Sequence, residues 1–347
     1  MRVQQTLHTN RLTLRPMRAD DRDAVLRVFA DPESSRWLVR DMSDPANAAD
    51  SFERWRSWGS PDGMGTWVLE LAGAVIGIGR FTPSNRLPGG LVEAGWFIAA
   101  GHAGKGFGTE AVRVLVDHAF RTIGLPAMWA LIHERNEPSL KLAARLGFLD
   151  VADFYQPAGP ARVHVVLPPH EFVERPQATL RTERLVVRPL RADDRPAVHD
   201  IFSDPEVTRY LSPGMSEPDR IDAMVDHRLG YDGPTGMGHW AFVEDDTVVG
   251  IGHLRPSWEL PGGVAEIGWY LGREYGGRGL ATEAGSALLG HGLHDLGLPA
   301  VWALVHRGNK PSLRLAERIG FLDVGTGEHY GDPHRVHVAL PRRASLH

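Results

Sequence analysis

The chain has 347 residues, 42% hydrophobic and 23% charged, with a formal net charge of −5, and reads as a soluble globular protein long enough for two cores. That balance offers no basic footprint for nucleic acid or an anionic membrane, and the lack of cysteine excludes disulfides, thiolate metal sites and a cysteine nucleophile. The opening "MRVQQTLHTNRL" has no apolar leader and no run of about 18 apolar residues occurs, so the expected location is cytoplasmic.

An offset of 173 residues lays the sequence on itself: roughly 45% of the paired positions from Leu7 to Leu167 are identical without insertion. The unit is domain-sized, which predicts an N-terminal domain over 1–170, a linker over 171–178 within the proline-bearing "PPHEFVERPQA", and a C-terminal domain over 179–347. Two such copies are expected to pack as an internal pseudo-dimer, by analogy with two-fold homodimers.

In chain order, "RLTLRPM" and "RLVVRPL" alternate as short strands, and "ADDRDAV" and "ADDRPAV" open helices whose aspartates suit a cap. A less regular helix follows near Phe52 or Met224. "TWVLELAGAVIGIGRF" and "HWAFVEDDTVVGIGHL" read as hairpins turning at Ala72-Gly73 and Asp245-Asp246. "VEAGWFI" and "AEIGWYL" are strands leading into "AGKGFGTEA" and "GGRGLATEA", glycine turns that open amphipathic helices. "MWALIH" and "VWALVH" feed helices "NEPSLKLAARLG" and "NKPSLRLAERIG", and "RVHVVL" and "RVHVAL" close each unit. The class is α+β, with a mostly antiparallel sheet.

Glycines before a helix allow positive φ and close approach, and the first-turn N–H groups with the helix dipole suit a phosphate. Neither the Walker spacing nor a Rossmann unit surrounds these loops. Their neighbours carry more. The ordered set "TNRLTLRP", "EAGWFI…GKGFGTEA", "NEPSLKLAARLGF" and its second copy "TERLVVRP", "EIGWYL…GRGLATEA", "NKPSLRLAERIGF" resembles the GNAT acyl-CoA-dependent N-acetyltransferases of the RimJ/RimL-like branch, over nearly all of both repeats.

That resemblance implies a mixed sheet splayed in the middle and flanked by helices, where the pantetheine arm of acetyl-CoA lies with its pyrophosphate on the glycine loop. It implies acetyl-CoA as the acyl donor, no metal, and an amine acceptor that is a small molecule or a peptide. The carried-over cofactor residues are Phe97, Ile98, Gly104, Lys105, Gly106, Gly108, Thr109 and Asn136 in the first copy. In the second they are Tyr270, Leu271, Gly277, Arg278, Gly279, Ala281, Thr282 and Asn309. The tyrosine that many relatives place four residues before "GF" is Ala143 or Ala316 here.

Acetylating an amine by direct attack needs a neutral amine and a proton for the leaving thiolate. Glu93 and Glu266 are the candidate bases, with a raised pKa expected from desolvation beside Trp96 and Trp269. His133 and His306 are the rival bases, and Ser139 and Ser312 the candidate acids. Trp37, Phe52, Trp55 and Trp58 diverge from Tyr210, Val225, Arg228 and Tyr231, in a region that this family uses to shape the acceptor site. The alternative to a tandem enzyme is a non-catalytic or half-catalytic acyl-CoA-binding or scaffold protein with one degenerate domain.

Overall fold

Short β-branched and leucine-rich alternation makes hairpins at the start of each repeat. In the computed structural model, which describes residues 3–30, 32–58, 62–170 and 175–341, β1 (Leu7–His8) pairs antiparallel with β2 (Thr13–Pro16). The chain divides into two compact units, Met1–Pro168 and Pro169–His347. Positions 171–174 of the expected linker lie outside the described residues.

Within the first unit α1 (Arg22–Ala30), α2 (Pro32–Ser35) and α3 (Pro45–Ser57) precede β3 (Gly65–Leu71), β4 (Ala74–Pro83) and β5 (Val92–Ile98). Then come α4 (Phe107–Asp117), β6 (Met128–His133), α5 (Glu137–Arg145), β7 (Leu149–Gln156) and β8 (Gly159–Val166). The second unit repeats this as β9 (Leu180–Arg181), β10 (Val186–Pro189), α6 (Arg195–Phe202), α7 (Pro205–Thr208), α8 (Pro218–Leu229), β11 (Gly238–Glu244), β12 (Thr247–Pro256) and β13 (Ala265–Leu271). It ends with α9 (Leu280–Gly290), β14 (Val301–His306), α10 (Lys310–Arg318), β15 (Leu322–His329) and β16 (Asp332–Ala339).

The strand order is β1-β2-β3-β4-β5-β6-β8-β7 in the first unit and the corresponding β9-β10-β11-β12-β13-β14-β16-β15 in the second. Within each unit the pairings among the described residues are antiparallel except β5 with β6 and β13 with β14. The parallel pairs barely touch. Glu93 opposite Trp129 is the register of β5 and β6, and Ala265–Val301 with Glu266–Trp302 that of β13 and β14, although each strand has six or seven residues. Beyond these contacts the strands diverge, which is the splay that the motifs imply.

Each sheet is covered on both faces. Trp67, Phe81 and Leu115 pack beneath α4, and Val25, Phe29, Phe52 and Val68 beneath α1 and α3; the second unit repeats this with Trp240 and Leu288, then Val198, Phe202 and Val225. The expected hairpin turns carry positive φ, +50° at Ala72 and +46° and +63° at Asp245 and Asp246, as a tight primed turn demands. The leading aspartates cap the turn that opens each helix, as expected, through a capping box with Arg18 or Arg191, and each also holds a strand arginine. Asp21 accepts from Arg18 N at 2.7 Å and is gripped by the Arg15 guanidinium at 2.6 and 2.8 Å; Asp194 does the same with Arg191 and Arg188. A buried carboxylate is satisfied best by a guanidinium fork, and β2 supplies one.

Candidate active site

A glycine turn that joins β5 to α4 must reverse the chain and leave the helix start open. Gly104 and Gly106 take φ of +73° and +83°, Gly277 and Gly279 +76° and +83°, and no side chain caps the helix at either Gly106 or Gly279. A Cβ at Gly104 or Gly277 would meet nothing within 4 Å, so both loops open onto free space. The first-turn N–H groups and the dipole of an eleven-residue helix converge there, a fit for a phosphate-bearing donor.

Each loop is braced by the first hairpin. Arg11 Nη1 donates to the Lys105 carbonyl at 3.1 Å, while its Nε and backbone N–H bind Glu110 at 2.7 and 2.9 Å; Thr9 also donates to Glu110. Arg184, Thr182 and Glu283 repeat the set, with Arg184 Nη1 at 2.8 Å from the Arg278 carbonyl. Desolvation would raise Glu110 and Glu283, but these donors outweigh it and hold both carboxyls below their ordinary value. Sequence reading missed this brace, although its residues stand inside the quoted "TNRL" and "GTEA" phrases. The proposed loop cations are otherwise engaged: Lys105 Nζ donates to Gly101 O at 2.8 Å, and Arg278 meets Glu244 in a two-pronged pair at 2.7 Å.

Gly77 and Gly250 let β4 and β12 run close to the next strand, for a Cβ there would lie 2.2 Å from Phe97 O or 2.5 Å from Tyr270 O. Gly108 faces Leu142 and Ile98, with room for α4 to press on α5, and Ala281 stands at that place in the second unit. Thr282 accepts from Arg318 at 3.4 Å.

The helix after the splay starts at an asparagine. Asn136 Oδ1 accepts from Ser139 N at 3.3 Å, and Asn309 Oδ1 from Ser312 N at 3.2 Å, so each caps its helix and fixes the serine. Each serine oxygen also accepts from a tryptophan, Trp96 Nε1 at 3.2 Å or Trp269 Nε1 at 3.4 Å. Both bonds put the hydroxyl proton elsewhere, free to be donated. Trp96 and Trp269 therefore belong to the site, whereas Trp67, Trp129, Trp240 and Trp302 are fully buried packing. Ala143 and Ala316 are buried as well.

The glutamates occupy matching places with different company. Glu93 is partly exposed, ion-paired with Arg86, and accepts from Ser84 Oγ at 2.6 Å. Glu266 is 4% exposed; Ser257 Oγ donates to it at 2.6 Å and Tyr330 Oη at 2.8 Å, with Arg255 at 3.7 Å. Burial alone would raise its pKa, yet His253, Arg255 and Ser257 outweigh it and hold the carboxyl down, to about 2. His253 Nε2 stands 3.8 Å away, beyond hydrogen-bonding reach, so the Ser257 and Tyr330 hydroxyls make its direct bonds. The expected raised pKa does not hold at Glu266, because the donors gathered around it stabilise the charge more than desolvation opposes it.

The rival bases have a fixed tautomer. Arg135 N donates to His133 Nδ1 and Gly308 N to His306 Nδ1, both at 3.1 Å, so each neutral ring carries its proton on Nε2. Such rings donate at Nε2. His334 is the reverse: its Nδ1 donates to the Asp332 carbonyl at 2.8 Å, which leaves a lone pair on Nε2. Both His334 and Tyr330 line a cavity of about 970 Å³ that also takes in Gly277, Gly279, Ser312 and Glu266. Neither was foreseen. Their signal was the broken repeat, since Ala161 and Pro157 stand at the corresponding first-copy positions.

In the divergent helical region Trp37 stacks on His133 with ring centres 4.7 Å apart and Tyr210 on His306 at 5.0 Å. Phe52 and Val225 are fully buried core. Trp55 packs on Phe97, while Arg228 lies 5.2 Å over the Tyr270 ring. Tyr231 meets His239 edge-on, and Trp58 is exposed.

The Acetyltransferase (GNAT) domain family matches residues 11–149 and 184–322. The uncharacterized N-acetyltransferase p20 of Bacillus licheniformis is 31% identical over 148 residues, 42% of this chain and 82% of that protein. The FsC-acetyl coenzyme A-N(2)-transacetylase of Aspergillus fumigatus is 26% identical over 163 residues, 45% of this chain and 69% of its own. Among solved structures, an acetyltransferase from Agrobacterium tumefaciens is similar at 29% identity, covering 47% of this chain and 95% of its own with a TM-score of 0.40. The two matched spans fill most of the chain, which belongs to the GNAT family of N-acetyltransferases and carries its domain twice.

Proposed function

We propose that both units transfer acetyl from acetyl-CoA to a primary amine by direct attack in a ternary complex. The observation that carries this reading is the duplicated juxtaposition of an open glycine loop, a splayed strand pair and a serine whose hydroxyl proton is free. The donor's pyrophosphate is held by the N–H groups after Gly106 and Gly279, and its arm lies along the splay beside Phe97-Ile98 and Tyr270-Leu271.

The neutral amine attacks the thioester carbonyl, and the carbon–sulfur bond breaks as Ser139 or Ser312 passes its proton to the departing thiolate and regains one from water, the proton that the amine gives up closing the balance through solvent. In the first unit Glu93 accepts the amine's surplus proton through water. In the second, Glu266 stays ionised near neutrality and acts electrostatically, fixing Tyr330 and Arg255, while His334 Nε2 accepts the proton. No covalent enzyme intermediate enters this scheme.

Turnover of acetyl-CoA across peptides, amino acids, polyamines and aminoglycosides, with mass spectrometry of the products, tests the reading; acetyl-CoA binding without any acetylated amine would overturn it. Ser139→Ala combined with Ser312→Ala is expected to lower kcat by about a hundredfold while KM for acetyl-CoA changes little, since the hydroxyl matters only as sulfur becomes anionic. An unchanged kcat would remove the serines from the proton path.

A further inference from the structure

The cavity of the second unit holds more positive charge than its own residues neutralise. Arg228, on α8, lines it with its Nη1 buried and without a hydrogen-bond partner, and its guanidinium lies over Phe202 at 5.5 Å and Tyr270 at 5.2 Å. Arg255 lines the same space, bonded to the Tyr330 oxygen at 3.1 Å and near Glu266. Glu266 has Arg255 beside it, and Glu206, the other acidic lining residue, reaches Arg209 at 3.5 Å, so both carboxylates of the lining are taken by other arginines. His239 and His253 are kept neutral, both pushed down by burial and by the nearby cations, His253 to about 4. A buried guanidinium with an unmet N–H is costly unless an anion arrives.

The first unit reaches the same outcome with the residues exchanged. Arg80 replaces His253 and Trp55 replaces Arg228; Arg80 sits 5.8 Å over Trp55 with its Nε unpartnered, and Glu93 is taken by Arg86. Both positions changed, and each unit keeps a guanidinium with a spare N–H, over Trp55 in the first and over Tyr270 in the second.

We propose that the acceptor is a small amine that also bears a carboxylate, an amino acid in chemical class, and that Arg228 grips this carboxylate in the second unit. A planar guanidinium meets a carboxylate with two parallel hydrogen bonds, which a hydroxyl or amide cannot reproduce. Such an anchor fixes the carboxylate at the α8 side of the cavity and leaves the amine to face Ser312 and His334. The inference rests on the acetyl-transfer reading and names its acceptor class.

The test uses the full chain with Gly106→Trp silencing the first unit, and compares the twenty protein amino acids with their carboxamides, which keep the amine and lose the anion. At least one amino acid is expected to exceed its carboxamide in kcat/KM by about tenfold or more. Arg228→Met should bring the two within about twofold, mainly through a higher KM for the amino acid, and Arg228→Lys should retain part of the preference. Without ligand, Arg228→Met should unfold at the same or a higher temperature, because it removes an uncompensated buried charge; an arginine kept only for structure would show a lower one. Equal use of amino acids and carboxamides, or a preference that survives Arg228→Met, overturns the inference and leaves acetyl transfer standing. If no amine is acetylated, the acetyl-transfer reading fails, and calorimetric titration of the CoA-loaded chain with the same amino acids decides the inference separately: Arg228-dependent binding supports it and absence of binding overturns it.

Discussion

Calorimetric titration with acetyl-CoA is expected to find two sites per chain, one after either Gly106→Trp or Gly279→Trp, and none in the double variant. Both glycines sit at φ +83°, where any other residue costs about 1–2 kcal/mol of backbone strain. The larger loss is functional. A tryptophan Cβ at these positions lies 3.4 Å from Arg11 Nη2 or 3.5 Å from Arg184 Nη2, so the side chain crowds the arginine that braces the loop, and affinity at that loop should fall by at least about a hundredfold, the worth of several charge-assisted hydrogen bonds. Arg11 and Arg184 hold the loops at Lys105 O and Arg278 O. Two sites persisting in either single variant would show that the glycine loops do not hold the donor.

Glu266→Gln is expected to cut second-unit turnover by about a hundredfold or more and to destabilise the chain by about 3 kcal/mol, the usual loss when one partner of a buried ion pair is removed. Arg255 then loses its carboxylate while Tyr330 and Ser257 face an amide. The pH dependence follows the same charge. The folded-state pKa of Glu266, about 2, is below its ordinary value of 4.5, so the native state gains stability above pH 4.5 and loses it as the pH falls towards 2. Wild-type stability measured by denaturant unfolding should therefore decline over that window, and the Glu266→Gln variant should decline less steeply. Equal slopes would mean that folding does not lower the pKa of this carboxyl. Glu93→Gln, at a partly exposed pair, should cost only about 1 kcal/mol.

Most of the fold was legible in the sequence. The 173-residue offset, the alternating strands and the glycine and Asn-x-Pro-Ser phrases gave the element order in both copies, because they depend on residues close together in the chain. The two four-residue helices at Pro32 and Pro205 were missed, being shorter than any periodicity reveals. The aspartates of "ADDR" were read as helix caps and do cap, but they also bind the arginine of the preceding strand, a partner that spacing alone does not single out.

At the candidate site the division is sharper. The places of Glu93 and Glu266, Ser139 and Ser312, and the loop glycines follow from motifs that recur in order, so the sequence alone determined where chemistry-bearing residues stand and that they stand twice. Only the tertiary structure decided their state. Glu266 meets Tyr330 from 64 residues away, and Glu110 meets Arg11 from 99, so partners brought together by the sheet fix whether a carboxylate is charged, a histidine donates or accepts, and a guanidinium is left unmatched. Glu93 and Glu266, identical residues at corresponding positions, thereby acquire different partners and burial, which local sequence does not contain.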